Sequence, residues 1–516
     1  MIDRMRTLTC IALTCIARNW RLVPSPFLLL WMAGCVYLPI LEDVPVSKAV
    51  PAAVDTRIGR LLGEHADPHV LLIAASTMAL TSRLDLIEAA ETAIDAQYFI
   101  WQNDASGILL IDKLFEAADR GVRVRVLVDD IQLRGMVDRL KAIDDHPNVE
   151  IRIFNPFSVR WRFEMGLFRL AEFAIDGNRL NHRMHNKLMV ADNQLAILGG
   201  RNIGDDYFGR SPDRNFIDTD ILLSGAIVPE LSEGFDTYWN SRWAYPVQAL
   251  VNWSLFRDDL NRLRARIKGR LAQHPDLQGL DDPSRIESTV AQLLSGPAVE
   301  RYITVIDDPD VGWFDRPDEI AGQLTEIALN VEHRVTIVSP YLIPTRNLLD
   351  IGETLNARGV EISVLTNSLE TNDVVIAQAA YSRSQQQILD SGVRLFELRG
   401  DAELAENDRA RNVCLHPKYI IFDDDVVFMG SLNLDPRSLY LNTEVGVVLE
   451  SAALARELRA HFEDLTRAEN AWQVIHTADG IRWRSSAGTV KRTPAKSHWQ
   501  RLRHALLKLL PISDQL

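Results

Sequence analysis

Two stretches decide how this chain reads: HNKLMVADNQLAILGGRN, residues 185–202, and HPKYIIFDDDVVFMGSLN, residues 416–433. Each opens with His-x-Lys, runs through apolar residues to an Asp, and returns to a small pair and an Asn. The members are His185, Lys187, Asp192 and Asn202, and again His416, Lys418, Asp423 and Asn433. Gly199-Gly200 precedes the first Asn and Gly430-Ser431 the second. Composition alone would produce His-x-Lys-x4-Asp about 0.02 times in a chain of this length. In a strand, residues i and i+2 share a face, so each His and its Lys point the same way. A turn at Asp192-Asn193, or at Asp423-Asp424, sends a second strand back and carries the Asn to the His-Lys pair. The small residues are expected to let a substrate approach the backbone.

The repeat extends upstream. Residues 86–130 and 324–368 each read helix, strand, helix, strand. Gly121-Val122 and Gly359-Val360 end the second helix and begin β-branched runs. Short strands follow at 149–154 and 393–398. A repeat of this size predicts a duplicated α/β lobe, each a sheet covered by helices on both faces. We place the lobes at 66–245 and 311–475, with a helical connector at 246–310 and a C-terminal extension at 476–516. The alternative leaves the connector with one lobe.

A phosphodiester displacement needs what these motifs hold in duplicate. Two histidines supply nucleophile and acid if one is neutral and one protonated. Two lysines and two asparagines bind the non-bridging oxygens as charge redistributes. The two Asp are the weaker members; they orient the Lys or His, or shape the turn. No tight metal-ligand spacing occurs, so neither metal nor cofactor is expected.

The 516 residues carry a net charge of −14, which argues against a duplex nucleic acid as partner. Arg outnumbers Lys by 47 to nine, yet two of the nine Lys stand in the motifs. At the N-terminus, Arg4, Arg6, Arg18 and Arg21 precede LVPSPFLLLWMAGC. That pattern reads as an export signal, and Ala33-Gly34-Cys35 resembles a bacterial lipobox that lipidates Cys35. An uncleaved spanning helix over about Leu22–Leu41 is the other reading, weakened by Pro24 and Pro26. Both put the body outside the cytoplasm, with residues 1–35 as signal or anchor. Cleavage would remove Cys10 and Cys15 and leave Cys414 without a disulfide partner.

The motifs, with DAQYFIWQNDASG, RGVRVRVLVDD, RIFNPFS, LTNSLETNDV, LDPRSLYLNTE and the ending LLPISDQL, resemble the phospholipase D superfamily and its bacterial cardiolipin synthase C group. The resemblance covers nearly all of the chain after residue 80. It implies two lobes in a pseudo-twofold sandwich with one active site between them. It also implies His185 as nucleophile and His416 as acid and base, an order the pseudo-symmetry leaves open. Glu444 matches a family acid that orients a His, and Asp220 is its expected first-lobe counterpart. The candidate catalytic set is therefore His185, Lys187, Asp192, His416, Lys418 and Asp423, supported by Asn202, Asn433, Gly200, Ser431, Glu444 and Asp220. The implied reaction makes cardiolipin from phosphatidylglycerol and a second phospholipid, phosphatidylethanolamine or phosphatidylglycerol. A phospholipase D hydrolase, a superfamily nuclease and a non-enzymatic lipid-binding lipoprotein are the alternatives. A helper protein is left open.

Two segments suit a membrane surface. Trp161, Phe163, Phe168 and Phe173 alternate with Arg160, Arg162 and Arg169, as in an interfacial helix, a lid or a packed amphipathic helix. Near the C-terminus Trp499, Leu502, Leu506 and Leu509 share one helical face, with Arg501, Arg503 and Lys508 off it. That face either meets lipid or packs on the body.

Overall fold

The structure, a computed structural model, describes residues 38–41, 44–65, 67–133, 136–158, 166–250, 259–310, 319–404 and 412–508. The N-terminal segment with Cys35, the aromatic and arginine residues 160–163, and Leu509 lie outside them.

Each motif folds as a hairpin at the centre of a sheet. Strand Lys187–Ala191 pairs antiparallel with Leu195–Gly199, and Tyr419–Phe422 with Val426–Gly430. The first turn needs left-handed backbone at Asp192 (φ 51°) and Asn193 (φ 55°), and the second at Asp423 (φ 47°). Asp and Asn tolerate that region better than most residues, which explains their place in the motif.

The first sheet has eight strands, in the order His69–Ile73, Asp220–Ser224, Leu195–Gly199, Lys187–Ala191, Ala93–Tyr98, Arg123–Asp129, Val149–Phe154 and Ala244–Pro246. The second has ten: Arg301–Ile306, Val445–Glu450, Val426–Gly430, Tyr419–Phe422, Arg334–Val338, Glu361–Asn367, Arg394–Leu398, Ala471–Thr477, Gly480–Ser485 and Gly488–Val490. The first eight positions correspond one to one. In both sheets the three strands after the hairpin's first strand run parallel to one another. Helices make those crossovers. Ala105–Asp119 starts on an Asp104 side-chain cap and stops at Gly121 (φ 98°). Its counterpart Arg346–Ala357 starts on Thr345 and stops at Gly359 (φ 83°).

Alternation along the hairpins splits them between two cores. Met189, Ala191 and Ile197 face an outer core with the helices Ser76–Ala89 and Ala105–Asp119. Leu188, Val190 and Leu198 face inward and join Tyr419, Ile421, Met429 and Val447 of the other sheet in one shared cluster. Helices Ile227–Trp239 and Ala452–Leu465 complete that inner core. The chain is thus a duplicated α/β fold whose two lobes share a central apolar layer.

Three strands fall outside the limits read from the sequence, and the connector helices follow the alternative given there. The connector helices Leu260–Leu271 and Arg285–Ser295 bury Leu263, Ile267, Ile286 and Val290 on the first lobe's outer core. Arg301–Ile306, placed in the connector, is instead an edge strand of the second sheet, with six residues in register with Val445–Glu450. Strands Gly480–Ser485 and Gly488–Val490, placed in the extension, continue that same sheet. Backbone pairing, which composition does not reveal, sets these limits.

Candidate active site between the lobes

The two motif histidines stand where the lobes exchange backbone. Strand Val413–Leu415 pairs in parallel with Asn215–Ile217 of the first lobe, and the His416 amide donates to the Ile217 carbonyl at 2.7 Å. On the symmetric side Met184 bridges Thr443, and the His185 amide donates to the Thr443 carbonyl at 2.9 Å. Each histidine therefore begins its motif already tied to the opposite lobe.

The side chains cross over as well. His185 Nδ1 lies 2.9 Å from Glu444 Oε2 and 3.0 Å from Oε1. His416 Nδ1 lies 2.5 Å from Asp218 Oδ2. Each carboxylate comes from the residue just after the bridging one, at the head of the strand beside the hairpin. With Nδ1 engaged, Nε2 is the nitrogen left for chemistry in both rings. Lys187 Nζ donates to the His185 carbonyl at 2.5 Å, and Lys418 Nζ to the His416 carbonyl at 2.5 Å. Lys418 Nζ also sits 3.0 Å from His416 Nδ1. Aromatic rings wall the site: Phe99 at 4.9 Å from the His185 ring, and Phe216 and Tyr207 at 4.9 and 5.4 Å from that of His416.

All of these polar groups are buried. Burial first, then Lys187 and Lys418, hold His185 well below the usual imidazole range. Burial and Lys418 also lower His416, against the pull of Asp218. Burial pushes Glu444 up to about 7, whereas His416 and Lys418 outweigh the burial of Asp218 and keep it below the usual carboxylate range. Burial likewise drops Lys187 well below the ordinary lysine value and Lys418 to about 8. Two histidines and two lysines thus share a buried site with two carboxylates, and a phosphodiester anion brought beside the basic groups would favour their charged forms.

Asp218, not the expected Asp220, is the first-lobe counterpart of Glu444. Asp220 is paired with Arg83 at 2.9 Å and Arg201 at 3.5 Å, away from the histidines. The strand register holds the signal that the sequence reading missed. Gly199 pairs with Asp220, and Gly430 with Gly446, so Asp218 is equivalent to Glu444. The motif carboxylates are also not in the reacting cluster. At the far end of Lys187–Ala191, Asp192 accepts from the amides of Glu91, Thr92 and Ala93 and from the Thr92 hydroxyl. Asp423 accepts from the amides of Glu332, His333 and Arg334. Both clamp the chain entering the neighbouring strand.

The small residues serve the carboxylates rather than open backbone. A Cβ on Gly200 would overlap Asp218 Oδ1. Ser431, its equivalent, donates its hydroxyl to Glu444 Oε2. Asn202 donates to the Tyr207 hydroxyl at 3.0 Å and accepts from the Ile100 amide. Asn433 donates to Ser438 at 3.3 Å. Arg437, in the LDPRS stretch, ties the lobes through the side chain and carbonyl of Asn181. Cys414 is buried with a free thiol. Phe173 is exposed, and Arg169 lies over the Phe157 ring.

Comparisons with known proteins agree with the duplicated fold. The family model described as "Cardiolipin synthase, PLD-like domain" matches residues 84–239 and 325–466, one match per lobe. Cardiolipin synthase C of Escherichia coli K12 is 35% identical over 452 residues, covering 84% of this chain and 93% of that protein. A cardiolipin synthase of Staphylococcus aureus is 26% identical over 384 residues, covering 74% of this chain and 64% of that one. The phosphatidylserine synthase structure from Haemophilus influenzae Rd KW20 superposes with a TM-score of 0.57 at 15% identity, covering 89% of this chain and all of that one, which speaks to the fold alone. The chain belongs to the cardiolipin synthase family of phospholipase D-like proteins.

Proposed function

We propose that this phospholipase D-type phosphatidyltransferase makes cardiolipin through a phospho-histidine intermediate. The observation that carries the reading is the crossed pairing of His185 with Glu444 and of His416 with Asp218. In the first step His185 Nε2 attacks phosphorus of a phospholipid. The P–Nε2 bond forms, the P–O bond to the headgroup alcohol breaks, and protonated His416 gives its proton to that alkoxide. In the second step a phosphatidylglycerol hydroxyl gives its proton to His416 and attacks phosphorus. The P–Nε2 bond breaks and His185 is free again.

The asymmetry of the pairs supports this order. His185, the more strongly depressed imidazole, is neutral and keeps a lone pair on Nε2. Burial and Lys418 lower His416 as well, but an ionised Asp218 opposes that lowering and would stabilise the imidazolium the acid step needs. Lys187 and Lys418 would hold the non-bridging oxygens. Burial disfavours their charged forms, and the negative charge of a phosphodiester beside them would favour those forms. Transfer prevails over hydrolysis when the acceptor lipid excludes water from the second step.

The donor would be phosphatidylethanolamine or a second phosphatidylglycerol, and neither a metal nor a cofactor enters the scheme. Export and anchoring through residues 1–35 would put the body on the outer face of the cytoplasmic membrane. The test uses membranes from cells expressing the wild type or His185→Ala, given headgroup-labelled phosphatidylglycerol with and without phosphatidylethanolamine. Mass spectrometry should find cardiolipin with the wild type alone, and a rise with phosphatidylethanolamine names the donor. Phosphatidic acid without cardiolipin would replace the synthase with a hydrolase.

A further inference from the structure

We propose that the outward face of the C-terminal helix His498–Leu507 is a docking surface for an anionic lipid bilayer. Its inward face is already committed to the protein. Gln500 Nε2 donates to the Leu369 carbonyl at 2.6 Å, and His504 Nε2 lies 3.0 Å from the Ser382 hydroxyl. Ser497 caps the first turn by accepting from the Gln500 amide. The opposite face bears Trp499, Leu502 and Leu506, at i, i+3 and i+7, exposed by 72%, 50% and 58%. Among the described residues they are three of the twelve large apolar side chains left in solvent, gathered on one short helix. A single exposed Leu means little, but a contiguous Trp-Leu-Leu face marks an interaction surface.

Charge chooses the partner. From Gly480 to Ser513 the sequence holds eight Lys or Arg and no Asp or Glu, in a chain of net charge −14. Arg503 is exposed on the helix itself, and Lys491 and Arg492 are exposed in the segment that leads into it. An exposed Trp and Leu face on a short helix within a basic segment is the pattern of a helix lying in the plane of an anionic interface. At ten residues this helix is too short to cross a bilayer. Its location also suits the chemistry. Lys496, just before the helix, donates to Asn412 Oδ1 at 2.5 Å, and Asn412 leads directly into Val413–Leu415 and His416. Docking here would seat the bilayer against the segment that ends in a site histidine. The link to catalysis rests on the lipid reading of the site; the docking itself does not.

The test attaches an environment-sensitive fluorophore to the full chain at Leu502→Cys, with Cys10, Cys15 and Cys35 changed to Ser and buried Cys414 left in place. Vesicles of phosphatidylglycerol and phosphatidylcholine should shift the emission to the blue and permit quenching by brominated acyl chains, whereas phosphatidylcholine alone should do neither. Adding Lys491→Glu, Arg492→Glu and Arg503→Glu should weaken the vesicle-dependent shift about 10²-fold in lipid concentration. All four positions are at the surface, so the fold is not at risk. A protein that sediments with the vesicles while its emission stays unchanged is held by its N-terminus alone and overturns the proposal. A blue shift without vesicles, accompanied by a doubled mass in solution, would assign the face to a second copy and also overturn it. Because the readout needs no turnover, intact docking without cardiolipin synthesis would count against the proposed reaction alone.

Discussion

The two halves of the site use one motif and hold its histidines with different acids. In one, His185 meets Glu444, whose carboxyl is pushed up to about 7 and also accepts from Ser431. In the other, His416 meets Asp218, which stays below the usual carboxylate range and packs on Gly200. One half has a longer acid with a serine hydroxyl beside it, the other a shorter acid packed on a glycine. The difference separates two groups that the sequence makes look identical. One histidine is a candidate nucleophile and the other an acid and base, as a two-step displacement requires.

The strongest way to break that comparison is to remove each histidine. His185→Ala and His416→Ala should each lower transfer by at least about 10³-fold. They should part in the intermediate. With a substrate whose leaving group needs no proton, His416→Ala should accumulate a phosphatidyl adduct on His185, seen by intact-protein mass spectrometry, and His185→Ala should form none. An adduct on His416 would reverse the order.

The carboxylates come next. Asp218→Asn removes the ionised partner of His416 and should cost about 10²-fold in kcat. Glu444→Gln keeps the shape around His185 and replaces a carboxyl already pushed towards neutrality, so about tenfold is expected. Steady-state kinetics on mixed micelles would compare them, and equal losses would erase the proposed division of labour.

Exchanging the small residues sharpens the same contrast. Gly200→Ser forces a Cβ into Asp218 and should cost about 10²-fold or more in activity. Ser431→Gly deletes one hydrogen bond to Glu444 and should cost about tenfold.

The motif Asp residues should affect stability rather than chemistry. Asp192→Ala should destabilise by about 2 to 3 kcal/mol, because it orphans several donors at a fully buried site. Asp423→Ala, at a more exposed clamp, should cost about 1 kcal/mol. Thermal melts would register both, with kcat of the folded protein nearly unchanged.

The smallest effect is on pH dependence. A carboxyl raised to about 7 in the fold binds its proton more tightly than in the unfolded chain, whose reference value is 4.5. Its contribution to stability is complete below about 4.5 and fades as pH rises to about 7. Wild type should therefore lose stability relative to Glu444→Gln across that window, in paired melts at successive pH values.

Much of this was legible in the chain because it depends on local rules. The His-Lys spacing, the Asp-Asn turn and the glycines after the crossover helices are short-range features, and the hairpins, capped helices and paired strands follow them. The choice of Asp218 over Asp220 was not legible from the residues alone. Both lie in FIDTD, and only the register of Gly199 on Asp220 decides which carboxylate reaches a histidine. The connector's allegiance was hidden for a similar reason. Arg301–Ile306 looks like any short alternating run until it is seen paired with Val445–Glu450.

The sequence by itself determined that the chain is duplicated, that each copy is α/β, and which histidines and lysines recur. Period, turn chemistry and repetition are written in neighbouring residues. Only the tertiary structure decided that each histidine is held by the other lobe's carboxylate, and that the motif Asp residues serve the scaffold. The first depends on contacts between residues 198 and 259 positions apart, brought together by a shared apolar layer, and the second on contacts within a lobe 90 to 100 positions apart; no local pattern encodes either.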